Sequence, residues 1–116
     1  MAEELAALRL TRRYSASIEE VWRALTDPEA MSRWLAPPDE VEAQLRTVEQ
    51  GRVLELDWHR RGERDSLVRL ELASDDAGTV LVLDHSRLDA RMCMGYFAFW
   101  APRLDRFGEA VGGERR

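Results

Sequence analysis

The chain has 116 residues, 45% of them hydrophobic, which is enough for one domain with its own core and little for a second. Net charge is −5, from 17 basic and 22 acidic residues, a balance that argues against nucleic-acid binding and against docking on an anionic membrane surface. Every basic residue is Arg, Asn is absent, and Cys93 is the only cysteine, so a Schiff-base lysine, N-glycosylation, an internal disulfide and a multi-cysteine zinc site are excluded.

The first residues, Met-Ala-Glu-Glu-Leu-Ala-Ala-Leu, lack the charged start and long apolar run of a signal peptide, and no stretch approaches a membrane span. A cytoplasmic protein without a membrane segment is the expectation. Leu8 to Tyr14 alternates, with Leu8, Leu10 and Tyr14 on one side, and predicts a strand. Arg12 falls on the apolar side and requires either a carboxylate partner or an outward bend of the strand.

Two short helices follow, over about 17 to 25 and 28 to 35. Ser17 and Glu20 form a capping box, and Val21, Trp22 and Leu25 make an apolar stripe. Asp27 is placed to cap the second helix, with Pro28 at its first position, and Pro37-Pro38 forbids continuation beyond Trp34.

Four strands then follow, three of them with period-two alternation. Glu40 to Thr47 carries Val41, Ala43 and Leu45 on one side. Arg52 to His59 carries Leu54, Leu56 and Trp58, which sends His59 to the opposite, solvent side. Arg60 to Asp65 is a mixed-charge hairpin tip, read as a solvated turn. Ser66 to Ser74 carries Val68, Leu70 and Leu72; Asp75-Asp76-Ala77-Gly78 is a turn; Thr79 to Ser86 is a nearly continuous apolar strand.

From about Leu88 the period becomes helical, with Cys93, Tyr96, Phe97, Trp100, Leu104, Phe107 and Val111 at spacings of three and four. Pro102 predicts a kink, Gly112-Gly113 a stop, and residues 112–116 a frayed tail. The fold class is α+β: one curved antiparallel sheet of about five strands, two short helices after the first, and a long C-terminal helix covering the apolar face of the sheet. Residues 1–116 form a single domain on this reading.

Val21-Trp22-Arg23-Ala24-Leu25-Thr26-Asp27-Pro28-Glu29, followed by Arg33-Trp34 and Pro37, resembles the signature of the START-related (SRPBCC) superfamily with the helix-grip fold. The nearest likeness is to bacterial proteins similar to the C-terminal domain of heat-shock-protein-90 ATPase activators. Leu10-Thr11-Arg12 before Tyr14, Gly78-Thr79, and Asp84-His85-Ser86 fit the same pattern, so the resemblance spans roughly residues 8 to 111. Members of this group usually carry about two more strands, which points to a shorter sheet here. The resemblance implies a small hydrophobic or amphipathic ligand held between sheet and C-terminal helix; some relatives are cyclases or hydrolases, and some act on protein partners.

The residues expected to line such a pocket are Trp34, Leu45, Leu56, Trp58, Leu70, Leu83, His85, Tyr96 and Trp100. The competing reading is that they fill a core. His85 is the one histidine facing the interior, a ligand hydrogen-bonder, a general base or a structural group. Asp84 is its sequence neighbour and faces the other way, so the two form no dyad. No orienting group for a Cys93–His85 pair is visible, and no metal set or cofactor is expected. The expected function is ligand binding without an assigned catalytic residue. The rivals are an enzyme using the same pocket and a ligand-free protein-interaction module. Unpaired sheet edges also suggest a homodimer.

Overall fold

The computed structural model describes residues 4–36 and 38–112. A strand, β1 (Leu5–Tyr14), leads into helices α1 (Ile18–Thr26) and α2 (Pro28–Trp34). Strands β2 (Val41–Glu49), β3 (Val53–Arg60), β4 (Ser66–Asp75) and β5 (Gly78–Asp89) follow, and a short 3₁₀ turn, Ala90–Met92, opens the long helix α3 (Cys93–Ala110). The five strands form one antiparallel sheet in the order β1-β5-β4-β3-β2, which leaves β1 and β2 as its edges. This is the helix-grip arrangement expected from the sequence. Among the described residues, no helix is long and apolar enough to cross a membrane.

Local chemistry explains the helix boundaries. Ser17 Oγ accepts from the Glu20 amide at 3.3 Å, which satisfies one orphan donor of α1. Asp27 closes α1 and caps α2, its carboxylate accepting from the Ala30 amide at 3.0 Å, with Pro28 in the first turn. Ala36 has a φ of 36°, so the chain has already left helical geometry before the Pro37-Pro38 pair. Pro37 and residues 113–116, most of the expected frayed tail, lie outside the described residues.

The buried face of the sheet is the one the alternation predicts. Leu10 pairs with Leu83, Leu83 with Leu70, and Leu70 with Leu54, forming a continuous apolar row. Tyr96, Trp100, Leu104 and Phe107 of α3 pack onto this face in one core cluster. The Tyr14 hydroxyl donates to the Leu104 carbonyl at 3.1 Å and ties the C-terminal half of α3 to β1. Arg12 finds its carboxylate on α3, where Nε lies 3.4 Å from Asp105. Gly78 is required where β5 begins: its φ is 150°, and a Cβ there would collide with the Tyr14 carbonyl oxygen. The neighbouring Thr79 hydroxyl donates to the Ala16 carbonyl at 2.8 Å and holds the β1–α1 junction against the sheet.

Several boundaries differ from expectation. β5 runs on to Asp89, and α3 begins at Cys93 rather than near Leu88. Arg87, with φ 61°, breaks the period without ending the strand, because β1 still pairs with Leu88 and Asp89. Pro102 lies inside α3, as the pattern of the helix expects. Pro102 and Ala98 are both exposed, so the carbonyl that Pro102 leaves unbonded is on the water-facing side.

Candidate functional site

The elements bring most of the expected pocket residues together, packed against one another. Leu56, Trp58, Leu70, Leu83, His85, Tyr96 and Trp100 are all buried in the sheet–α3 interior. Trp58 sits at the centre, with Trp100, Phe99, His85 and Tyr96 rings at centroid separations of 5.3 to 6.3 Å. Trp34 lies further along α3, edge-on to Phe107 at 5.9 Å. Leu45 departs from the group. It shares the concave face with its partner Leu56, yet is 61% exposed, because α3 does not extend over β2.

The polar atoms of this interior satisfy each other. The Trp100 indole N–H donates to His85 Nδ1 at 3.0 Å, and His85 Nε2 lies 2.8 Å from the Ser66 hydroxyl. An indole nitrogen only donates, so Nδ1 must carry a lone pair. The proton of the neutral ring is then on Nε2, which donates to Ser66. Burial lowers the His85 pKa from 6.5 to about 4, consistent with a neutral ring at neutral pH. This polarity is wrong for nucleophilic catalysis. A serine activated by histidine must give its proton to a free imidazole nitrogen, and here none is free. For the same reason His85 has no nitrogen left for Cys93.

A second line of bonds runs outward from Trp58. Its N–H donates to the Tyr96 hydroxyl at 3.1 Å, and that hydroxyl donates to Glu63 Oε1 at 2.6 Å. Burial, helped by Glu63, raises the Tyr96 pKa. Arg60 stands beside this carboxylate, 3.7 Å from Glu63 Oε2, and also donates to Glu40 at 2.8 Å. The hairpin tip read as a solvated turn therefore sends one carboxylate inward onto α3. A mixed-charge run gives no sequence signal of which charge turns in. His59 does face solvent, paired with Asp65, which raises its pKa through a hydrogen bond.

An open groove lies elsewhere, between α1 and the β2–β3 hairpin. A groove of about 490 Å³ is walled by Ile18, Trp22 and Val48, with Glu19, Arg23 and Gln50 around it. A bulge in β2 builds the sheet side of this region. Leu45 and Val48 are three residues apart and would face opposite ways in a regular strand. The register shifts between Leu45 and Thr47, so Leu45 pairs with Leu56 and Val48 with Leu54, and both lie on the concave face. Val48 is 52% exposed there. β2 runs to Glu49, beyond the Thr47 end expected from sequence, and the broken alternation at Leu45–Val48 is the signal for this wall. Among the described residues, no cluster of three or more His, Cys, Asp or Glu side chains could hold a metal ion.

Comparison with known proteins agrees with the architecture. The family model for activator of Hsp90 ATPase homolog 1-like proteins matches residues 15–52, a segment that holds α1, α2, β2 and every residue named for the groove. The crystal structure of CalU16 from Micromonospora echinospora superposes with a TM-score of 0.82 at 27% identity, covering 100% of this chain and 88% of that one. An AHSA1-like protein from Rhizobium etli gives 0.76 at 25% identity, covering 96% and 84%. The Aha1 dimer from Colwellia psychrerythraea gives 0.75 at 12% identity, covering 91% and 96%, a likeness of fold alone. No curated protein matches the chain.

Proposed function

Given an SRPBCC/Aha1-like chain, we propose that it binds a small apolar or amphipathic molecule, and that the binding surface is the groove between α1 and the β2–β3 hairpin. The observation that carries this reading is the groove itself: about 490 Å³, with an apolar wall of Ile18, Trp22 and Val48 and polar groups at its margin. That size and lining suit a small organic ligand. The sheet–α3 interior supports the reading by contrast, because no buried side-chain polar atom among the described residues lacks a partner. A site built to orient a ligand offers unfilled bonds; this interior offers none. The proposed site is still on the concave face, moved to the strip that α3 leaves uncovered.

The test is a titration with 1-anilinonaphthalene-8-sulfonate, an apolar anion, followed by amide chemical shifts. Saturable shifts at Ile18, Trp22, Val48 and Gly51, with little change at Tyr96 and Trp100, are expected. Shifts centred on Tyr96 and Trp100 would return the site to the interior. No saturable shifts anywhere would remove the binding reading.

A further inference from the structure

At the other end of the interior, the β3–β4 hairpin reaches Tyr96 of α3 through Glu63, with Arg60 at the end of β3 beside it. The Glu63 side chain is 18% exposed. It belongs to the turn between Arg60, the last residue of β3, and Ser66, the first of β4, and Gly62 in that turn has a φ of 86°. The tip is thus a loop element, whereas Tyr96 is buried on a helix. Tyr96 is buried on α3, and its oxygen takes the Trp58 N–H, so its own proton points outward to a single acceptor. A cleft of about 130 Å³ opens beside this bond, lined by Glu63, Arg64, Leu88, Asp89, Arg91 and Met92. A water occupies about 30 Å³ in the liquid, so the cleft holds a group of a few heavy atoms.

We infer that the Tyr96 hydroxyl and Arg60 form a binding station for a small carboxylate, occupied at rest by the chain's own Glu63, and that an entering carboxylate displaces Glu63 and frees the hairpin tip. The donor set matches that chemistry. A phenol donor backed by an indole N–H, beside a guanidinium, prefers an ionised acceptor over water. Leu88 and Met92 give a short aliphatic tail an apolar surface. The carboxylates that oppose an anion are Asp89 in the cleft, paired with Arg91 at 3.1 Å, Glu40, paired with Arg60 at 2.8 Å, and the displaced Glu63 itself. No bond is made or broken; one charge-assisted hydrogen bond replaces another. The site is separate from the α1 groove, so either can fail without the other.

Propionate is the probe, with chloride at equal ionic strength as the control. In the wild-type protein, propionate should shift the amides of residues 61–65 and 96 saturably, and chloride should not. Glu63→Ala removes the resident competitor, so its propionate affinity should exceed that of the wild type severalfold, and propionate should raise its melting temperature. Tyr96→Phe removes the donor and should abolish both effects. Equal propionate affinity in wild type and Glu63→Ala overturns the inference, as does an unchanged response in Tyr96→Phe. If Tyr96→Phe does not fold, the comparison of wild type with Glu63→Ala decides alone.

Discussion

The concave face of this sheet carries two surfaces of the same apolar composition and opposite character. Under α3, Trp58, Trp100, Leu70 and Leu83 are sealed, and every polar tip among them is bonded. Beside α1, Leu45 and Val48 lie on the same face of the same sheet and meet no covering layer. The difference comes from the reach of α3, which packs along β1 and the centre of the sheet and stops short of β2. Alternation in a strand therefore reports which face a residue takes. Burial depends on how far the opposite layer extends, and strand periodicity carries none of that information.

The sharpest way to break this contrast is to empty the sealed side. Trp100→Ala should cost about 3–5 kcal/mol, the usual loss for a large buried aromatic, read as a lowered denaturant midpoint. The indole N–H also leaves with the side chain, so His85 Nδ1 loses its donor. An unchanged midpoint would mean that the interior is no better packed than the open strip.

A titration tests the same region without creating a void. His85 has a folded pKa of about 4 against 6.5 for the ordinary side chain. The folded pKa lies below the unfolded one, so the unfolded chain binds the proton better. The stabilisation from neutral His85 is complete above pH 6.5 and is lost as the pH falls toward 4, by about 3 kcal/mol over that window. His85→Gln keeps an acceptor for Trp100 and a donor for Ser66 but does not titrate. It should leave the fold intact and flatten the stability profile between pH 4 and 6.5. An identical slope in this variant would assign the acid sensitivity to carboxylates instead.

Much of this architecture was legible in the sequence. Ser17, Asp27 and Pro28 marked both short helices through local hydrogen bonding and ring geometry, which need no tertiary context. The apolar faces of β3, β4 and β5 followed from their residue patterns, and Arg12, on the wrong side, called for either a carboxylate or an outward bend, of which the structure supplies the first in Asp105. The candidate site was less legible. Trp58, His85, Tyr96 and Trp100 share one interior, but sequence does not say whether they enclose a space or fill it, because that depends on volumes summed across β3, β5 and α3. Leu45 was placed with them on face alone. Glu63 gives no signal because the five charged residues of Arg60–Asp65 look alike in sequence until one finds a buried phenol. Arg87 misled the last boundary, since a single residue of positive φ interrupts the period while the ladder to β1 continues.

The smallest effect on stability should come from the open side, and it is the most informative for function. Val48→Glu places a charge on a half-exposed position of an edge strand, where substitutions usually change stability by about 0.5 kcal/mol or less. Its pairing partner Leu54 is buried, and the same substitution at Leu54 would put a carboxylate in the core with no partner. Val48→Glu should therefore keep the wild-type denaturant midpoint and lose binding of the anilinonaphthalene probe by tenfold or more. Two things act against the ligand: the hairpin side of the apolar wall is gone, and a new negative charge faces an anionic probe. Val48→Gln separates them, since it is polar without charge and should weaken binding less. Retained affinity in both variants, with stability intact, would show that the uncovered strip is only a short sheet's unfinished edge.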